Sequence, residues 1–410
     1  MTPALGERAD GYGRGPAKEG TMRADRSRGL SIVGMGAVTP YGWGTEALWR
    51  GLLTGQPAAA PHPGYGPGRD EQAWVALVPE GGDPGTGDDR YARAVLAAVR
   101  EAVADARARD WRPGRTVGLI HAIVLGDVRG WRDFHTLDEA DRTSRGYLGL
   151  LPSTPIALAM REFGFHGPTM NVSAACSSAN AAVLTARLWL DAGLADDVVV
   201  VTSDLSGTPD MVERFVRLGA AVTDADPLTA CRPFQEGSRG FVFGEASVAF
   251  VIGRDNGRPY ARVLGAAMTN DAHHVVSIDP EHTHIVDCAR RALAQAGVRP
   301  EDIAYVNAHG TGTRQCDLAE RHLVADVFAD RPHLYALKPL TGHSQGASGA
   351  VELAVAALAY ERGVVPAAPV VAPAHPRLLD GPTPLVDGLT LKSSLGMGGH
   401  NSMLVLGPPH

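Results

Sequence analysis

Thr169-Met170-Asn171-Val172-Ser173-Ala174-Ala175-Cys176-Ser177-Ser178-Ala179-Asn180 is the stretch on which the fold turns. Residues 169–173 have strand character, small side chains then let the chain bend sharply, and an Ala-rich helix is expected over residues 177–192. Strand, tight turn and helix in direct succession are the repeating unit of layered α/β proteins. The turn also places a thiol, Cys176, at the start of the helix. Unpaired N–H groups and the positive end of the helix dipole favour a thiolate there. Alone, a buried cysteine of this kind is more often inert than reactive.

The same alternation extends both ways. Upstream, residues 30–34 read as a buried strand entering a loop at the Gly and Pro of residues 35–40. Residues 56–89, rich in Pro, Gly and Ala, are expected to be loop-dominated. A helix is expected over 91–109 and a strand over 117–120. A charged excursion follows over 127–147, then a helix over 155–162. Downstream, the Val run within 197–202 reads as a strand buried on both faces, and residues 241–252 as two further strands. Residues 258–267 repeat the opening pattern of strand, Gly and small residues, which suggests an internal duplication. Helices at 283–296, 317–328 and 347–362 then alternate with strands at 303–307, 389–391 and 403–406. The chain therefore divides into an expected disordered extension over 1–29, a first half over 30–257 and a second over 258–410.

Composition narrows the class. Of 410 residues, 44% are hydrophobic and 20% charged, the balance of an ordinary globular protein. A net charge of -7 gives no general reason to expect nucleic-acid binding. No apolar run reaches the ~18–20 residues that span a bilayer. Cys176, Cys231, Cys288 and Cys316 contain no CxxC pair, which argues against a thiolate zinc site, and so sparse a set fits a reducing cytoplasm.

Three later segments carry chemistry. Val306-Asn307-Ala308-His309-Gly310-Thr311-Gly312-Thr313 delivers a histidine from an apolar strand into a loop of Gly and Thr, followed by Asp317 and Glu320. Lys338-Pro339-Leu340-Thr341-Gly342-His343-Ser344-Gln345-Gly346-Ala347 sets a Lys and a His before a helix that carries Glu352. Ser393-Ser394-Leu395-Gly396-Met397-Gly398-Gly399-His400-Asn401 must turn tightly and can present N–H groups. Singly, each has an ordinary structural explanation.

Their order is far more specific. A nucleophile-like Cys, then HGTGT, then KxxxGHxxGAxG, then a GxGGxN loop resembles the β-ketoacyl synthase family, across residues 30–407. The likeness is to the elongating synthases of fatty-acid and polyketide assembly. It implies a thiolase-like α/β fold, two pseudo-duplicated αβαβα halves forming a five-layered core, assembled as a homodimer. It implies that Cys176 accepts an acyl group from a carrier protein, and that His309 and His343 bind the second thioester. Lys338 and Glu352 would organise the histidines. The N–H groups of Cys176 and Met397 would form the oxyanion hole, and Thr311 and Thr313 would hold the phosphopantetheine arm. That arm rides on the carrier, so the chain itself is expected to bind no cofactor and no metal. Arg145, Arg214 and Arg217 are candidate docking residues for an acidic carrier.

One departure bears on substrate. The family commonly has Phe at both positions held here by Leu395 and Met397, and the second Phe gates the acylated cysteine. Flexible Met clears an irregular acyl chain more readily. A specialised-metabolite synthase is therefore expected rather than a housekeeping one. Two other readings stay open: a ketosynthase-fold cyclase closing a tethered chain with lactonisation (the γ-lactam-β-lactone type), and a non-catalytic partner resembling a chain-length factor.

Overall fold

The computed structural model describes residues 29–66, 71–86, 89–254 and 256–409, so residues 1–28 of the expected extension lie outside the described residues. The first strand, β1 (Leu30–Thr39), runs well past residue 34. Its glycines are packing sites rather than loop signals. A Cβ on Gly34 would sit 2.3 Å from the Ala102 carbonyl oxygen, and one on Gly36 2.1 Å from that of Ala98. Both carbonyls belong to helix α1 (Arg90–Ala108), which Asp89 caps by accepting from the N–H groups of Tyr91 and Ala92.

Four more strands complete the first half: β2 (Val117–Ala122), β3 (Thr169–Val172), β4 (Asp197–Asp204) and β5 (Ala246–Gly253). They lie in the order β1-β5-β4-β2-β3, with β2 parallel to both β3 and β4, and β5 antiparallel to both β4 and β1. The second half supplies β6 (Ala261–Asn270), β7 (Ile303–Asn307), β8 (His333–Tyr335), β9 (Leu389–Gly396) and β10 (His400–Gly407). Their order is β6-β10-β9-β7-β8, with the same parallel and antiparallel pairs. Every strand of the first half thus has a counterpart five positions on. Short antiparallel pairing of β1 with β6, from Leu30↔Val263 to Ile32↔Ala261, joins the halves into one 11-stranded sheet that includes the small strand Gly42–Trp43.

Helices complete the layers. α2 (Ser153–Phe163) lies with α1 outside the first half, while α3 (Ser178–Asp191) is central. In the second half α4 (Thr283–Ala296) and α5 (Arg314–Phe328) are outside, and α6 (Ser348–Arg362) packs on α3. Strand alternation feeds these layers: Val198 and Val200 join the central core with α3 and α6, while Val199 and Val201 join the outer core with α1. Full burial of each such side chain contributes about 1.5–3 kcal/mol. The result is an αβαβα arrangement of five layers.

One expectation fails locally. Residues 241–245 form isolated bridges to Ala221, His343 and Ala76 rather than a strand of their own, because they are threaded between the halves. Residues 56–89 are loop-dominated as expected among the described residues, with 60–63 and 72–75 pairing as a small sheet.

Candidate active site

The nucleophile-like turn is held by its own side chains. Ala174 N–H donates to Ser178 Oγ at 2.9 Å, and Ser178 Oγ–H donates to Ala175 O at 2.6 Å. Ala175 has φ +48°, a left-handed conformation that costs a non-Gly residue about 1–2 kcal/mol. The second half grips the same turn. Ser177 Oγ lies 3.0 Å from the carbonyl of Ser394 and 2.7 Å from that of His400. A Cβ on Gly396 would meet Cys176 N at 3.2 Å and Ala174 O at 3.0 Å, so glycine eases the close approach of the two backbones.

β7 delivers His309 to the same place. Its N–H donates to Glu320 Oε1 at 2.7 Å, and Gly310 N–H donates to Glu320 Oε2 at 2.8 Å. Lys338 Nζ lies 3.2 Å from His309 Nδ1, donates to the His309 carbonyl, and sits 2.5 Å from Glu352 Oε1. An ammonium can only donate, so Nδ1 accepts and the ring proton falls on Nε2. His343 is anchored by its N–H to Val242 O at 2.8 Å and by Ser348 Oγ, 2.7 Å from Nδ1. With that hydroxyl donating, Nε2 again carries the proton. The two rings stand 5.5 Å apart at 84°, and Phe241 packs edge-on to His343 at 4.6 Å.

Cys176 Sγ and ring nitrogens of His309 and His343 lie within 4.8 Å of one another. They open on a cavity of about 260 Å³ that Thr311, Thr313, Leu395 and Met397 also line. One sulfur and two nitrogens are donors that zinc accepts. The Lys338 ammonium at His309 Nδ1 would repel a dication, which favours organic chemistry at this centre.

Electrostatics amends one expectation. Cys176 is 6% exposed, and burial pushes its thiol up to about 11, against the pull of Lys338 and the N–H groups of Met397 and Cys176. The resting group is a thiol, not the thiolate that its helix position suggested. Burial, and then the Lys338 charge, hold His309 and His343 well below the usual imidazole range. Both rings are neutral at physiological pH.

Lys338 and Glu352 lie buried behind His309, joined to it by the contacts above. Arg214 and Arg217 are exposed on the helix Pro209–Arg217, whose Phe215 lines the Cys176 cavity; Arg217 is paired with Glu213 at 2.5 Å. Arg145 is not brought there. It lines a separate cavity of about 740 Å³ with Tyr91, Asp127 and Leu205.

Two groups escaped the sequence reading. The clamp made by Glu320 was visible only as an acid following the HGTGT loop. Lys392 is fully buried on β9, 2.8 Å from Glu352 Oε2. Its signal was a lone Lys after Leu389-Thr390-Leu391, which reads as the end of a strand rather than a buried cation.

The beta-ketoacyl synthase N-terminal domain model matches residues 87–257, and the C-terminal domain model residues 260–371. A putative polyketide beta-ketoacyl synthase 1 of Streptomyces cyaneus is 32% identical over 371 residues, covering 83% of this chain and 87% of that one. The tetracenomycin polyketide synthase ketoacyl synthase alpha subunit of Streptomyces glaucescens is 30% identical over 380 residues, 84% and 88% of the two chains. Among solved structures, a type II polyketide synthase ketosynthase bound to its acyl-carrier protein and the hexaketide (AntDE:AntF) superposes with a TM-score of 0.82 at 22% identity, over 93% of this chain and 99% of that one. The ishigamide ketosynthase/chain length factor gives 0.81 at 24% identity, again over 93% and 99%.

Proposed function

The chain belongs to the β-ketoacyl synthase family, and on that premise we propose that it is a standalone ketosynthase of polyketide or specialised-metabolite assembly. The observation that carries this reading is the convergence of Cys176, His309 and His343 on one cavity. Cys176 sulfur attacks the acyl thioester of a carrier protein. The carrier thiol leaves with the proton that Cys176 gives up, and the acyl group stays on sulfur. A malonyl thioester then enters with its carbonyl between the Nε2–H groups of His309 and His343. Loss of carbon dioxide leaves an enolate that two neutral imidazoles stabilise by donating to its oxygen. Its carbon attacks the acyl-Cys176 carbonyl, whose oxyanion is held by the N–H groups of Cys176 and Met397. The C–S bond breaks, the β-ketoacyl thioester departs on the carrier, and the sulfur regains a proton.

Thr311 and Thr313, hydroxyls 3.0 Å apart on the cavity wall, are assigned to the phosphopantetheine arm of the carrier. Arg214 and Arg217, beside the wall formed by Phe215, are assigned to carrier docking. The two named structural relatives are a ketosynthase with its acyl-carrier protein and a ketosynthase paired with a chain length factor. For this chain the proposed assembly is a homodimer. Among the described residues no helix is long and apolar enough to cross a membrane; a cytoplasmic placement belongs to the same proposal.

Intact-protein mass spectrometry after mixing with acyl carriers tests the first step. The wild type is expected to gain the acyl mass and Cys176→Ala to gain none; acylation that persists in the variant defeats the assignment. Cyclisation of a tethered chain without malonyl carrier would establish the cyclase reading instead.

A further inference from the structure

Lys392 has a consequence for the histidines. It occupies a core position of β9, paired in register with Asn307 of β7 and Leu404 of β10. Its ammonium donates to the Ser393 carbonyl, lies 3.1 Å from Ser394 Oγ, and stands 2.8 Å from Glu352 Oε2. The other oxygen of that carboxylate already holds Lys338 at 2.5 Å. One buried carboxylate thus faces two buried ammonium groups. Burying a charge without its own counter-ion is costly, and an apolar side chain of equal length would avoid the penalty at a strand position. The surplus charge also lies close to the reacting groups: Ser393, the next residue, puts its hydroxyl 3.0 Å from His309 N.

We propose that Lys392 is a positioning residue of this site: with Lys338 it brackets Glu352, whose carboxylate holds Lys338 against His309 Nδ1, and its charge adds to burial and Lys338 in keeping His309 and His343 as neutral hydrogen-bond donors. This rests on the ketosynthase reading above. Burial moves the Lys392 ammonium below its ordinary range, and the charged groups acting on it are Glu352 from α6, Lys338 from the short helix Lys338–Thr341 and Glu320 from α5, the two carboxylates favouring the ammonium form. The titratable groups acting on His309 are Lys338, Lys392 and the ring of His343; those acting on His343 are Lys338 and Lys392. Glu320 accepts from the N–H groups of His309 and Gly310 and from Ser393 Oγ, and it is not among the charged groups acting on either ring. Cys176 is affected differently: Lys338 is the cation that acts on it, so loss of Lys392 should change the histidines and spare acylation.

The test is a histidine-selective NMR titration of wild type, Lys392→Met and Lys392→Arg, with the two rings assigned by comparison with His309→Gln and His343→Gln. Removing a cation makes ring protonation easier. The Met variant is therefore expected to raise both titration midpoints by about one pH unit, a tenfold gain in proton affinity. The Arg variant should stay at the wild-type values. The acid limb of the condensation rate should move to higher pH in step, with Cys176 acylation unchanged. Unshifted midpoints in Lys392→Met overturn the proposal, as does a rate loss by one factor at every pH. Should the Met variant fail to fold, Lys392→Gln, which keeps a hydrogen-bond donor without the charge, carries the same comparison. The titration needs no turnover, so shifted midpoints in a protein that forms no carbon–carbon bond would keep this inference and defeat the functional one.

Discussion

Burial of Cys176 raises its thiol to about 11, while the strained turn at Ala175 and the grip of Ser177 on the second half fix where the sulfur points. Alkylation by iodoacetamide should therefore accelerate about tenfold per pH unit between pH 7 and 9, since the thiolate fraction grows at that rate well below the midpoint. A plateau near pH 7 would contradict a resting thiol. Met397 gives a second expectation, because the oxyanion role proposed for its N–H does not depend on its side chain. Met397→Phe should leave loading of a short acetyl group within about twofold, and slow loading of a branched or long chain about tenfold or more by narrowing the cavity. Equal loading of both chains would remove Met397 as a determinant of substrate. At this scale the sequence spoke clearly where polar groups stand in Gly-rich loops, as His309 and His343 do. It was silent at Lys392, because a lone cation after apolar strand residues looks like a strand end at the surface.

Elements were legible where one period dominated. The helix over 283–296 and the strand over 303–307 stand where the pattern put them, since apolar faces of one kind run their full length. β1 was cut short in the reading because Gly34 and Gly36 look like turn residues, whereas the structure uses them to seat α1 against the sheet. Gly265 does the same on β6, where a Cβ would lie 2.3 Å from the Ala292 carbonyl oxygen of α4. Gly36→Ala is accordingly expected to destabilise the fold by about 2 kcal/mol, as overpacking does, read as a lower urea midpoint at unchanged slope. An unchanged midpoint would mean that α1 is free to back away.

Across the whole molecule, ten strands in two equivalent sets of five explain why the groups of the proposed centre arrive from both halves: β3 and α3 bring Cys176, β7 brings His309, β9 brings Met397, and the segment leading into α6 brings Lys338 and His343. The weak sequence repeat at residue 258 hinted at this order, but pairing between distant strands leaves no local trace. The two sheet ends differ. β8 is covered by the segment that pairs Leu334 with Leu378, whereas β3 has exposed side chains, including Met170 at 45%. An uncovered edge of this kind supports association of a second copy along β3. Sedimentation should show a dimer that Met170→Lys weakens towards monomer; a dimer untouched by that change would place the interface elsewhere. The central claim is that Cys176, His309 and His343 form one condensing centre, and product analysis with acyl-carrier and malonyl-carrier together tests it most directly. The wild type should release carbon dioxide and a β-ketoacyl carrier extended by the malonyl-derived unit, and Cys176→Ala should yield none of that product. An acylated protein that never makes the carbon–carbon bond with malonyl carrier would contradict the account.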